Sequence, residues 1–298
     1  MNVALLYLFN TIFLPVLVTF FSVFILSRRV PESAAVIGLG LGFIASFSGV
    51  FELNGLWGTD ATRFIIWGAL ITGLSTSISP LRAKAVTAII ALTFGLYLCL
   101  SPLSGMWREG LVKPLLNEWM IGAWLSASIT LLTVSQSSRI LEGEEQSHQL
   151  LSSAHFASLA LSYAIAAPCV GLSGSASMAQ LLGALGLATA TVGLIGLWRK
   201  VRLTVAAYCS AYTALFLTII SAHFYLTPSF SSSVATLIIF APMTVVLTAR
   251  WRMTPLKRVI MSLVVAAPLL LIGLGLVVAN ELSESEKKME TDEFGVSY

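Results

Sequence analysis

Between residues 150 and 198 the chain carries no Asp, Glu, Lys or Arg. Two apolar runs fill this stretch, 150–172 and 177–198, joined around Gly171-Leu172-Ser173-Gly174-Ser175-Ala176-Ser177. Each run is long enough for a helix to cross the roughly 30 Å hydrocarbon core of a bilayer, and so short and small a connection makes the pair a tight membrane hairpin. The rest of the chain agrees with this stretch. It is 57% apolar and 10% charged, with a mean hydropathy of +0.89, against about 25% charged residues in an average soluble domain. The class is therefore an all-α, polytopic integral membrane protein.

Ten candidate spans follow: 3–26, 34–53, 64–79, 85–106, 116–136, 150–172, 177–198, 204–226, 230–249 and 259–282. Together they make one transmembrane domain over 1–282. The third, with a polar second half before Pro80, is the one whose full crossing is open; a re-entrant or internally buried helix is the alternative. Alternate loops differ in basic charge. Arg28, Arg29, Arg82, Lys84, Arg139, Arg199, Lys200, Arg202, Arg250, Arg252, Lys257 and Arg258 fall on one side, and only Arg63, Arg108, Lys113, Lys287 and Lys288 on the other. Twelve of the 17 basic residues thus share a side, which the positive-inside rule assigns to the cytoplasm. Both termini are expected outside. The absence of an N-x-S/T sequon leaves a bacterial inner membrane as the simplest location. The loop over 137–149 is expected to continue as helix from its neighbours, and the acidic tail 283–298, poor in apolar residues, to be disordered unless a partner orders it.

Two spans carry a small-residue seam. Gly38, Gly42, Ala45 and Gly49 recur at helical spacing in the second, and Gly183, Gly186, Ala190 and Gly193 in the seventh. Such faces let backbones approach closely where lipid gives no hydrophobic drive for association. These two helices are expected to be innermost. Their equivalence in a five-plus-five arrangement raises an inverted repeat. A rival match, Leu161-Ser162 to Ala166-Ala167-Pro168 against Met261-Ser262 to Ala266-Ala267-Pro268, pairs helices of like orientation instead.

Away from the span ends there is no charged side chain, so ion coupling through a buried carboxylate is disfavoured. Glu52 and Glu118 lie at outer helix ends and read as interfacial. The candidates for a polar solute path are His155, Ser158 and Ser162 on one face of the sixth span, and Tyr208, Tyr212 and His223 on the eighth. The competing reading is that each histidine only hydrogen-bonds a neighbouring helix. At 1.5 Å per residue the two histidines differ in depth by roughly 20 Å, too far to ligate one haem. Pro15, Pro168, Pro242 and Pro268 fall within spans and remove helical hydrogen bonds. Asn10 reads as an interhelical hydrogen bond.

Cys99, Cys169 and Cys209 lie in apolar runs and form no metal-binding spacing, so neither a metal nor a cofactor is expected. Catalytic signatures are lacking. Ser173 and Ser175 sit among glycines, a setting shared by turns and by some serine nucleophiles, and no histidine pairs with them at the same depth. Tryptophans in 57–63 and 107–119 read as an interfacial belt. Size and span number resemble those of ten-helix drug and metabolite transporters, whose termini face the cytoplasm, opposite to the charge pattern here. Two functions are expected: a permease for a small neutral or weakly polar solute, or a non-catalytic subunit of a larger membrane complex. Partners are the bilayer and, through the small-residue faces or the acidic tail, other membrane proteins; nothing suggests nucleic acid.

Overall fold

A computed structural model describes residues 9–31, 33–51, 62–80, 83–103, 118–140, 145–198, 201, 203–225, 230–249 and 253–293. Regular structure there is entirely helical. A π turn, Phe9–Phe13, leads into α1 (Leu14–Leu26), then α2 (Ala34–Phe51), α3 (Arg63–Ile78), α4 (Lys84–Leu100), α5 (Glu118–Ile140), α6 (Glu145–Leu172), α7 (Ala176–Trp198), α8 (Val205–Tyr225), α9 (Ser232–Phe240), α10 (Val245–Ala249) and α11 (Pro255–Glu293). A 3-10 turn, Ala241–Thr244, joins α9 to α10. The start of the first span, Glu52, Trp57, Trp107 and the chain after Glu293 lie outside the described residues.

By length and composition, six helices can cross a membrane: Phe9–Leu26, Ala34–Phe51, Ser153–Leu172, Ala176–Trp198, Val205–Phe224 and Leu256–Ser283. Arg63–Ile78, Lys84–Leu100 and Ser232–Thr248 are apolar but shorter.

The α6–α7 hairpin closes as the sequence implies. Gly174 takes φ of 110°, and the Ser175 N–H reaches back to the Val170 carbonyl at 3.2 Å, a left-handed cap that glycine makes without Cβ strain. The Ser175 hydroxyl then accepts the Met178 N–H at 3.3 Å, capping α7. The Ser173 hydroxyl donates to the Cys169 carbonyl at 2.9 Å. Both serines are therefore engaged in the turn.

The innermost helix is α8, not α2 or α7. Its spanning segment is 94% buried, against 61% for α2 and 67% for α7, and it packs on α2, α3, α4, α5, α6, α7 and α9. Small residues all round it, among them Ala206, Ala207, Ser210, Ala211, Ala214 and Ala222, let neighbours approach from every side. A helix surrounded in this way has no polar face, hence no amphipathic stripe to read.

The seam of α2 does pack, chiefly on α1: a Cβ at Gly38 would overlap Val23, one at Gly42 would meet Thr19 of α1 and Ala188 of α7, and one at Gly49 the Asn10 carbonyl. Gly186 and Gly193 receive Tyr163 and Phe156 of α6. Gly183 departs from the expected seam, since a Cβ there meets nothing within 4 Å.

The polar half of α3 is explained by burial. Thr72 and Thr76 are buried, the Thr72 hydroxyl donates to the Gly68 carbonyl at 2.8 Å, and Ser210 of α8 donates to the Ala69 carbonyl at 2.8 Å. Gly68 and Gly95 bring α3 and α4 together beside Leu217 of α8.

Two extensions frame the bundle. Helix continues to Ile140 and resumes at Glu145, extending into the connection over 137–149. At the other end α11 runs as helix through Glu293, where disorder from 283 was expected. An established helix extends without a new nucleation cost.

Candidate functional site

The helical repeat places His155, Ser158 and Ser162 on one face of α6, and a step of four stacks Tyr208 with Tyr212 on α8. Packing brings these faces together. The Tyr208 ring lies parallel to Tyr212 at 6.2 Å between centroids and 10° between planes, meets His155 edge-on at 5.5 Å and 84°, and meets Phe156 at 6.1 Å and 80°. All five expected residues are buried, His155 at 3% exposure and Ser158 and Ser162 at 0%.

The hydrogen bonds around this cluster divide it into anchored and unanchored groups. Tyr163 donates from its hydroxyl to the Ala211 carbonyl at 2.7 Å, fixing α6 to α8. Tyr212 donates to the Ile239 carbonyl at 3.1 Å. Ser162 donates to the Ser158 carbonyl at 3.0 Å. The Tyr208 and Ser158 hydroxyls, by contrast, are buried with no hydrogen-bond partner, as are those of Ser126 and Ser128 on α5. A buried hydroxyl without a partner costs about 1–3 kcal/mol, which a bound polar group would recover.

His223 does not join the cluster. It stands fifteen residues further along α8 than Tyr208, about 22 Å in depth. Its ring lies 4.3 Å from that of Trp119, and its Nδ1 donates to the Phe230 carbonyl at 2.8 Å. Trp119 Nε1 in turn donates to the Ser232 carbonyl at 3.1 Å and the Thr236 hydroxyl at 2.8 Å. This second group ties the ends of α5, α8 and α9 together, a structural use of the histidine.

Sequence reasoning missed two features. Tyr163 adjoins Ser162 in an apolar run and shows no periodicity of its own. The second, apart from the cluster, is a groove along α6 and α7, about 800 Å³ in volume, whose walls include Ala160, Ala164, Gly183 and Ala190.

The cluster is built of imidazole, phenol and hydroxyl groups, which exchange hydrogen bonds with a neutral polar solute and offer no fixed charge. Among the described residues no group of three or more His, Cys, Asp or Glu could hold a metal. The three cysteines are free and buried. Comparison with family models, curated proteins and solved structures gave no match.

Proposed function

We propose that the chain is a permease for a small, neutral or weakly polar solute, which passes between α6 and α8 along His155, Ser158 and Tyr208. The observation that carries this reading is the pair of buried hydroxyls, Tyr208 and Ser158, that no protein group satisfies. In a membrane interior a permanent deficit of this kind is costly, and a solute donating and accepting hydrogen bonds removes it. The neutral donor set suits facilitated movement better than coupling to an ion.

The proposal includes ten crossings with both termini outside a bacterial inner membrane. The distribution of basic residues supports the orientation, and the shorter helices α3, α4 and α9–α10 together with α5 would make the four crossings beyond the six of full length. Contacts of α2 with α7 and of α3 with α8 are those that a five-plus-five inverted repeat needs at its axis. The almost complete burial of α8 with no like burial of α3 weighs against close symmetry.

The test is solute flux in proteoliposomes, followed by light scattering after an osmotic step with a series of neutral solutes. Accelerated flux that falls on Tyr208→Phe and Ser158→Ala in folded protein supports the reading; flux equal to that of empty liposomes for the whole series rejects it. A non-catalytic subunit of a larger complex is the second reading, favoured by the extension of α11 through Glu293. Fixed partners on mild detergent extraction, lost when residues 283–298 are deleted, would support it.

A further inference from the structure

The buried apolar residues fall into two groups, and the division follows two prolines. The main core takes in Ile238, Ile239 and Ala241 of the ninth span, and Ala266 and Leu270 of α11. A second, smaller cluster joins Val245 of α10 and Val259 of α11 to Ala154 of α6, with Val246 and Leu263 packed against it. Along the ninth span the change falls between Ala241 and Val245, at Pro242. On α11 it falls between Leu263 and Ala266, just before Pro268. Each proline removes the N–H that would hold the carbonyl four residues back, Ile238 in one case and Val264 in the other, so the helix is weakened where the core divides.

The two sides of this division are held differently. Before Pro242, α9 is tied to α5 by Trp119, which donates to the Ser232 carbonyl and the Thr236 hydroxyl, and to α8 by Tyr212. In α10 the Thr248 hydroxyl turns back to the Val245 carbonyl of its own helix at 2.7 Å. Near the start of α11 the Ser262 hydroxyl is shared between the Val259 carbonyl of its own helix, at 2.7 Å, and the Ala154 carbonyl of α6, at 3.3 Å.

The smaller cluster also adjoins the polar one. Ser158, whose hydroxyl is buried without a partner, follows Ala154 by one turn on the same side of α6. His155, next to Ala154, meets Tyr208. We infer that α10 and the part of α11 before Pro268 form a gate, which swings about Pro242 and Pro268 and opens the cluster of Ser158 and Tyr208 to water at the end that carries exposed Lys257. The gate supplies the entry that a fully buried solute site requires. It rests on the permease reading for its purpose, whereas the movement is measurable without transport.

Hydrogen exchange of the full chain in lipid nanodiscs, read by mass spectrometry, tests it. Amides of 245–249 and 256–267 exchange at one common rate, roughly tenfold faster than those of 269–282 and of 190–198 in α7. Pro268→Ala slows both half-helices, although it alters only one. The doubly substituted Ala154→Cys, Ser262→Cys protein serves if Pro268→Ala does not fold: oxidation slows both half-helices and reduction restores them, with the wild type, whose three cysteines are buried, as the oxidation control. Equal exchange on the two sides of Pro268 in the wild type, or unchanged exchange of α10 when α11 is stiffened or cross-linked, overturns the inference. Flux on the same samples separates the two readings. Opening that the cross-link abolishes, in protein that carries no solute, upholds the gate and rejects the permease.

Discussion

The hydroxyl of Tyr212 donates to the carbonyl of Ile239 at 3.1 Å, across the gap between α8 and α9. Three residues beyond that carbonyl is Pro242, in the 3-10 turn that separates α9 from α10. Proline lacks the N–H that would pair with the Ile238 carbonyl four residues back, and at the adjacent Ile239 carbonyl a side chain from the central helix is a donor. The break between α9 and α10 and the second tyrosine of α8 thus lie side by side.

Tyr212→Phe should lower stability by about 1–3 kcal/mol, the cost of a buried carbonyl left unpaired. Pro242→Ala should let the α-helix continue, which would bring the Met243 N–H to the Ile239 carbonyl, so the same tyrosine change should cost less in that background. A double-mutant cycle by thermal unfolding in detergent measures the coupling. Strictly additive effects would show that the two residues act separately.

Tyr208→Phe should behave in the opposite way. Its hydroxyl is buried without a partner, so removing it should leave stability unchanged or raise it by about 1 kcal/mol. Under the permease proposal, solute flux should nevertheless fall, roughly fivefold for the loss of one neutral hydrogen bond worth about 1 kcal/mol. A clear loss of stability would mean that this hydroxyl is structural.

Glycines on one helix should differ in tolerance. A Cβ at Gly186 would stand 2.7 Å from the Cβ of Tyr163, a side-chain atom held close to the backbone, whereas Gly183 faces open space. Gly186→Ala should destabilise by about 1–3 kcal/mol as overpacking does. Gly183→Ala should be neutral or slightly stabilising, because alanine is the better helix former. Melting temperatures of the two variants side by side decide the matter.

The Trp119–His223 group should prove independent of the buried cluster. Trp119→Phe removes the indole donor to both Ser232 and Thr236 and should cost about 1–2 kcal/mol. With some 22 Å between the groups along α8, its effect should add to that of Tyr208→Phe within about 0.5 kcal/mol, and solute selectivity should be unchanged.

Much of this organisation was legible in the residues. The hairpin could be read because glycine at a left-handed cap and serine at the next helix start are local requirements of the backbone. The facing of His155 with Ser158 and Ser162 could be read because it follows from the helical repeat alone. His223 was misleading for the same reason. Its angle on α8 relates it to Tyr208, but angle says nothing of the neighbour, and Trp119 and the Phe230 carbonyl hold it elsewhere. The seam on α7 was half right, since Gly186 and Gly193 meet α6 while Gly183 opens on the groove.

The sequence by itself determined an all-helical chain with several helices apolar enough to cross a membrane, the approximate limits of its helices, the turn between α6 and α7, and which polar residues share a helix face. Those properties depend on hydropathy, local backbone geometry and a period of 3.6 residues, all of which act within a few turns of chain. Only the tertiary structure decided that α8 is the central helix, that Tyr212 reaches the Ile239 carbonyl beside the break at Pro242, and that Tyr208 and Ser158 are left without partners. Each of these depends on which face meets which neighbour. In a chain apolar on nearly every face, many pairings bury similar surface, and close fit between small residues together with single hydrogen bonds selects among them.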